Sequence, residues 1–293
     1  MTAAPVWEAG EKTHRDENFP VASHLVSKRH RPVILAFYRF ARAADDVADH
    51  PELSESEKIR KLDQFEDSLL GKNDDIADAL PLRAAIAERG LSPKHGQDLL
   101  VAFRMDATKR RYADWDDLIN YCAYSAMPVG RFVLDVHGES RATWPANDAL
   151  CAALQIINHL QDCGADYRRL DRVYIPLDRL AARNIPVEAL AAPKASPELL
   201  KTIRELAART EELLGAADLS RGIRDLRLSL EVTAIERLAR KLVQMLLERD
   251  PLNQPVHLTK LGFAYNLIAA ASLALGRRFF APGRAPASVT GDR

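Results

Sequence analysis

Leu154-Gln-Ile-Ile-Asn-His-Leu-Gln-Asp-Cys-Gly-Ala-Asp166 interleaves an apolar and a polar pattern, both at helical spacing. Leu154, Ile156, Ile157 and Leu160 recur at helical spacing, which predicts a mostly buried helix. Gln155, Asn158, Asp162 and Asp166 also recur three and four residues apart, so they share one stripe of that helix. Two carboxylates and two amides on a half-buried stripe are costly without partners. Hard cations such as Mg²⁺ take oxygen ligands of this kind. The stripe reads as a metal site. The wet side of an ordinary amphipathic helix is the competing reading, and this stretch alone leaves both open.

A second acidic helix upstream shifts the balance. In Arg39-Phe-Ala-Arg-Ala-Ala-Asp-Asp-Val-Ala-Asp49, Asp45 and Asp49 are four apart and share a face, with Asp46 beside them. Like charges at this spacing repel, and a cation would explain the arrangement. Arg42 lies one turn before Asp45, with Tyr38 and Arg39 close by. The arginine fork matches phosphate oxygens, so a diphosphate suits this corner. A solvated, salt-bridged helix end is the alternative for this helix by itself. Two Asp-x-x-x-Asp helices facing each other would hold several Mg²⁺ ions around one diphosphate. That complex would stabilise the leaving group as an allylic or cyclopropylcarbinyl C–O bond breaks. Spacing alone does not show that they face each other.

The rest of the chain fits a helical enzyme. Its 293 residues suffice for a large core, and no Gly/Ser-rich or strongly Pro-rich stretch divides it, so one domain is expected. Lys+Arg and Asp+Glu both number 41, which gives no reason to expect nucleic acid as a partner. Cys122, Cys151 and Cys163 show no metal spacing, and an odd count argues against a disulfide framework. The N-terminus lacks a secretory pattern, and the apolar run 261–275 is shorter than the ~20 residues a membrane span needs.

Almost nothing alternates with period two, so the fold class is all-α. Expected helices open near Pro20, run from Pro32 to about Asp49, and run from a Ser54/Glu57 capping box to Gly71. Others are expected over 75–89, from Ser92-Pro93 to about Arg111, over 115–137 and over 147–167. Prolines 176, 186 and 193 mark an irregular connection, after which helices cover about 197–216, 225–249 and 259–280.

Three segments carry a family resemblance: Asp45-Asp-Val-Ala-Asp49, Tyr121-Cys-Ala-Tyr-Ser-Ala-Met-Pro-Val-Gly130 and Gln155 to Asp166, followed by Arg172-Val-Tyr-Ile-Pro176. Together they resemble the signatures of the squalene/phytoene synthase family over nearly the whole chain. The resemblance implies a single-domain isoprenoid synthase-like helical bundle with a central cavity. It implies a synthase-like domain over 17–280, between a polar segment 1–16 that reads as flexible and a tail 281–293 that reads as loose. Glu17-Asn-Phe-Pro-Val-Ala-Ser23 and Ser125-Ala-Met-Pro-Val-Gly130 look most like the hydroxysqualene synthase branch of bacterial hopanoid biosynthesis. That branch implies Mg²⁺-dependent conversion of presqualene diphosphate and water to hydroxysqualene and diphosphate.

Carried over residue by residue, Asp45, Asp49, Asp162 and Asp166 match metal-binding aspartates, with Asp46 as a helper. Asn158 matches a metal- or diphosphate-contacting asparagine, Gln155 a polar contact and Arg42 a diphosphate-binding arginine. Tyr121 matches a tyrosine near the reacting carbons, its ring toward a cation and its hydroxyl in reach of diphosphate; a core tyrosine is the alternative. Asn18 and Ser23 are candidate lid residues or helix caps, and Arg172 and Tyr174 candidates for closing the diphosphate pocket or for structure. The run Lys109-Arg-Arg-Tyr112 fits a phosphate contact or, better, a solvated face. Ser125-Ala126-Met127 stands where many relatives carry Val-Ala-Gly, and Gln161 where many carry arginine.

The three unpatterned cysteines read as cytosolic thiols, and the greasy C30 chains that the resemblance implies suit a cytoplasmic enzyme with peripheral contact at the inner membrane and transient contact with other squalene-pathway enzymes. A condensing squalene, phytoene or dehydrosqualene synthase is the alternative within the family. A non-catalytic helical assembly factor is the alternative outside enzymes, and it expects eroded aspartate motifs. A di-iron bundle needs paired Glu-x-x-His helices, and the only such spacing, Glu11 to His14, lies in the polar N-terminal segment.

Overall fold

The computed structural model describes residues 27–258. Among them the elements are helices α1 (Arg31–Ala48), α2 (Glu55–Leu69), α3 (Leu80–Arg89), α4 (Lys94–Thr108), α5 (Trp115–Ser125) and α6 (Met127–Val136). They continue with α7 (Trp144–Leu170), α8 (Leu177–Ala181), α9 (Pro197–Ala216), α10 (Leu219–Gly222) and α11 (Leu226–Glu248). No strand occurs among the described residues, and the fold is all-α. The expected segments before Ser27 and over 259–280 lie outside the described residues, as do Asn18 and Ser23.

Local chemistry accounts for the helix ends. In α1, Val33, Phe37, Phe40, Ala44 and Ala48 are buried at helical spacing, and Pro32 occupies the first turn, where its missing N–H costs nothing. At α2 the Ser54 Oγ accepts from the Glu57 N–H at 3.3 Å, and the Glu57 carboxylate accepts from the Ser54 N–H at 2.9 Å. Gly90 ends α3 at φ 62°, a left-handed conformation that costs a residue without Cβ least.

Four expectations on boundaries change. The helix expected over 75–89 opens with a 3₁₀ turn, Ala77–Ala79, before α3. α4 stops at Thr108 rather than near Arg111. The long helix expected over 115–137 is two helices that meet at Ala126 (φ −123°, ψ −45°), because Pro128 has no N–H to continue the first. α7 is longer than expected, 27 residues against the 147–167 read from the sequence.

Two apolar clusters flank the site. One gathers α1, α2, α3 and part of α4 around Phe40, Leu62, Leu82 and Leu100, with Phe37 stacked on Phe132 of α6 at 4.0 Å. The other gathers α5, α7, α9 and α11 around Ile156, Ile157, Ile203, Leu242 and Leu246. α6 lies close on α7 at Gly130, where an added Cβ would sit 2.0 Å from Asn147 Oδ1. Among the described residues no helix is long and apolar enough to cross a membrane.

Candidate active site

Two short non-helical segments position the site. The backbone N–H of Val173 donates to Arg110 O at 2.9 Å, that of Leu177 to Tyr112 O at 2.9 Å and that of Asp178 to Ala113 O at 3.0 Å. Just before this pairing, Asp171 adopts φ 51°, a left-handed turn that aspartate tolerates better than most side chains. Its carboxylate is held by Arg110 at 3.1 Å and Arg111 at 2.6 Å. Lys109 pairs with Asp117 at 2.5 Å. Arg110 and Arg111 thus clamp the end of α7, while Lys109 is held by α5.

The clamp delivers Arg172 to the centre. Its backbone N–H donates to Asp166 O at 3.3 Å, its Nη1 to Asp49 Oδ1 at 2.6 Å and its Nη2 to Asp106 O at 2.9 Å. One arginine therefore ties the end of the first aspartate motif to the end of the second. Burial works against its charge, but Asp106, Tyr174 and Asp49 outweigh it and hold the guanidinium above its ordinary pKa. Lys58 on α2 is also near, and burial and the charge of Arg172 lower its pKa despite Asp49.

Asp106 is the residue that sequence reasoning missed. It is 7% exposed and accepts from the Tyr121 hydroxyl at 2.9 Å and the Tyr174 hydroxyl at 3.3 Å. Burial raises its carboxyl to about 6, against the opposing pull of Arg172 and the Tyr121 bond. Burial also pushes both tyrosines well above their ordinary range, so both stay protonated donors. The Tyr121 hydroxyl proton thus goes to Asp106. A signal was available, since Asp106 continues the apolar register of Leu99, Ala102 and Phe103 on α4, where a charge is out of place without a partner.

The remaining candidates sort by helix. On α1, Arg42 pairs with Asp45 at 3.1 Å and Asp46 at 2.7 Å; Tyr38 is half-buried on the same helix. The Asp45 carboxyl is raised to about 7, first by burial and then by Asp49, with Arg42 opposing. On α7, Gln155, Asn158, Asp162 and Asp166 are all half-buried. Gln161 is buried and donates its amide to Val256 O, so it ties α7 to the segment after α11.

An aromatic floor lies beneath. His159 stacks on Tyr174 with ring centroids 3.5 Å apart, and Tyr121 and Tyr112 lie 5.6 and 5.4 Å from Tyr174. Burial and the charge of Arg172 lower the His159 pKa to about 3, so the ring is neutral. The three cysteines are free, and burial pushes their thiols up to about 12, which makes them inert.

An all-α bundle with two aspartate-bearing helices joined through a buried arginine has the architecture of an isoprenoid synthase. The family model described as squalene/phytoene synthase matches residues 12–262, and the chain belongs to that family. It is similar to the protein named hydroxysqualene synthase of Rhodopseudomonas palustris, 55% identical over 294 residues and covering 100% of both chains. It is 48% identical to the hydroxysqualene synthase of Zymomonas mobilis, with 89% of each chain covered. Among solved structures, a ligand complex of a dehydrosqualene synthase superposes with a TM-score of 0.75 at 21% identity, covering 88% of this chain and 92% of that one, which supports the shared fold. The chain is therefore an isoprenoid synthase, an enzyme whose family acts on isoprenoid diphosphates.

Proposed function

We propose that the protein converts presqualene diphosphate and water to hydroxysqualene and diphosphate, with Mg²⁺ as cofactor. The observation that carries this reading is the end-to-end similarity to the hydroxysqualene synthase of Rhodopseudomonas palustris. Both aspartate motifs are present and Arg172 links them, which also speaks against a non-catalytic factor on the same fold.

The donor set suits Mg²⁺. Asp45, Asp49, Asp162 and Asp166, with Asp46 and Asn158, offer oxygen atoms alone. Among the described residues no three His, Cys, Asp or Glu side chains converge on one metal position. Mg²⁺ characteristically takes one or two carboxylates and completes its shell with water and phosphate oxygens. Burial first and then the neighbouring Asp49 raise the Asp45 carboxyl, and a divalent cation would offset both. When bound, Mg²⁺ would neutralise the diphosphate and ease its departure.

The chain's own residues then orient the substrate. Arg42 and Arg172 supply positive charge at the diphosphate end, with Tyr38, Gln155 and Asn158 along the wall. The Tyr121 ring, fixed by Asp106, faces the developing carbocation with its electron-rich surface. Tyr174, and Asn18 and Ser23 from outside the described residues, complete the proposed substrate contacts. A cytoplasmic enzyme that exchanges its C30 chains at the inner membrane surface, in transient contact with neighbouring squalene-pathway enzymes, fits this chemistry.

Incubation of the purified protein with presqualene diphosphate tests the reading. Diphosphate and hydroxysqualene should form with Mg²⁺, and neither after chelation. Condensation of two prenyl diphosphates, with presqualene diphosphate left untouched, would move the chain to the condensing synthases.

A further inference from the structure

The reading above leaves open what directs water to the cation, and α7 offers an answer that rests on that reading. The Gln155 amide nitrogen lies 3.1 Å from His159 Nε2. An amide nitrogen only donates, so Nε2 accepts, the imidazole is neutral and its proton sits on Nδ1. This bond fixes which way the Gln155 carboxamide is turned. Among the described residues it leaves the carbonyl oxygen and the second amide hydrogen for a bound molecule.

His159 is itself held still. It is 8% exposed, and its ring lies nearly parallel to that of Tyr174, 3.5 Å away and tilted by 11°. Tyr174 is in turn bonded to Asp106. A continuous run of contacts thus leads from the buried Asp106 through Tyr174 and His159 to the amide of Gln155, which lies one turn before Asn158 and two before Asp162 on the stripe. Function placed on such a supported side chain keeps its geometry.

The chemistry asks for a neutral acceptor at this place. A water poised beside a carbocation needs one hydrogen held so that an oxygen lone pair points at the electron-poor carbon. A cationic donor would repel the cation, and the hydroxyl protons of Tyr121 and Tyr174 are already given to Asp106. A carboxamide oxygen meets the need without adding charge.

We infer that His159 is a positioning residue, which fixes the Gln155 carboxamide so that its oxygen holds the water that captures the carbocation, and that this pair sets an alcohol rather than a hydrocarbon as the product. In the step, a water lone pair forms the new C–O bond to the cation. The resulting oxonium passes one proton to the released diphosphate, which already took the electron pair of the broken C–O bond.

The test reads the alcohol share of the C30 products against total diphosphate release from presqualene diphosphate. His159→Phe keeps a ring on Tyr174 and removes the acceptor. It should release diphosphate within about threefold of wild type while the alcohol share falls at least about fivefold, replaced by hydrocarbons formed by proton loss. An unchanged alcohol share, at normal or reduced release, overturns the inference, because a merely structural role slows release without altering the partition. If His159→Phe does not fold, Gln155→Leu gives the same partition readout on whatever product it forms, with a reduced alcohol share expected and an unchanged one contradictory. Wild-type protein that releases diphosphate without forming alcohol overturns the functional reading and this inference with it. Wild-type alcohol with an unaltered share in the variants overturns this inference alone.

Discussion

Asp106 and Glu139 are two buried carboxylates, 7% and 8% exposed, that meet the same physical problem with different donors. Glu139, after α6, accepts from the backbone N–H of Arg224 at 3.0 Å and of Asp225 at 2.8 Å. Asp106 accepts from two tyrosine hydroxyls and lies against Arg172, whose guanidinium bonds its carbonyl. A carboxylate that binds backbone amides fixes the path of the chain, here the entry to α11. One that binds side-chain hydroxyls fixes the side chains, here those of the aromatic floor. The first is scaffold and the second is site. The site also keeps its electrostatic cost, since Asp106 and Asp45 stay raised to about 6 and about 7.

Substitutions can break or sharpen this contrast, beginning with the largest effect. Asp162→Ala removes a proposed metal ligand from a half-buried, solvent-reachable position. It should lower turnover at least about 100-fold with the circular dichroism spectrum and melting temperature near wild type. A folded variant with wild-type turnover would remove the second motif from the chemistry. Glu139→Ala should do the reverse. Stranding two backbone N–H groups should cost about 2.5 kcal/mol in urea unfolding, with turnover per folded molecule unchanged. A loss of turnover in the folded fraction would erase the distinction between scaffold and site.

Asp106→Asn keeps the volume but replaces one acceptor oxygen with a donor. Turnover should fall about tenfold, or about 1.4 kcal/mol, through kcat more than KM, because the tyrosines and Arg172 lose their alignment. A pure loss of stability would place Asp106 with Glu139. Asp45 supplies the smallest effect. Its carboxyl, at 3.8 in the unfolded chain and about 7 in the folded protein, makes the folded state the tighter proton binder. Its contribution to metal-free stability should thus be greatest below about pH 4 and decline as pH rises through 7. Asp45→Asn should flatten that slope and stabilise the metal-free protein at pH 8 by about 1 kcal/mol, less than the whole shift implies, because 35% of the side chain is exposed. Thermal melts across pH would check this, and an unchanged slope would assign the crowding elsewhere.

The contrast also explains what could be read from the sequence. α1, the capping box of α2 and the bounds of α9 follow from local signals, namely apolar spacing, Ser54 with Glu57, and Ser196-Pro197. The two aspartate motifs were legible for the same reason, because carboxylates four apart on one helix stand out without tertiary information. The break at Ala126 also had a local cause in Pro128, but the apolar pattern ran through it. Asp106 and the pairing of residues 110–113 with 173–178 are non-local. The pairing is made by backbone groups, which no side-chain pattern announces, and it is what carries Arg172 and Tyr174 to the site. Gln161, which stands where many relatives carry arginine, gives its amide to Val256, a non-local partner that its motif position does not announce.

The most direct test of the central claim, that this site ionises presqualene diphosphate and lets water end the reaction, is mass analysis of the C30 product made in ¹⁸O-labelled water with Mg²⁺, with and without NADPH. The expected result is hydroxysqualene carrying one labelled oxygen, in equal yield under both conditions. Squalene formed only with NADPH, and no labelled alcohol, would contradict it.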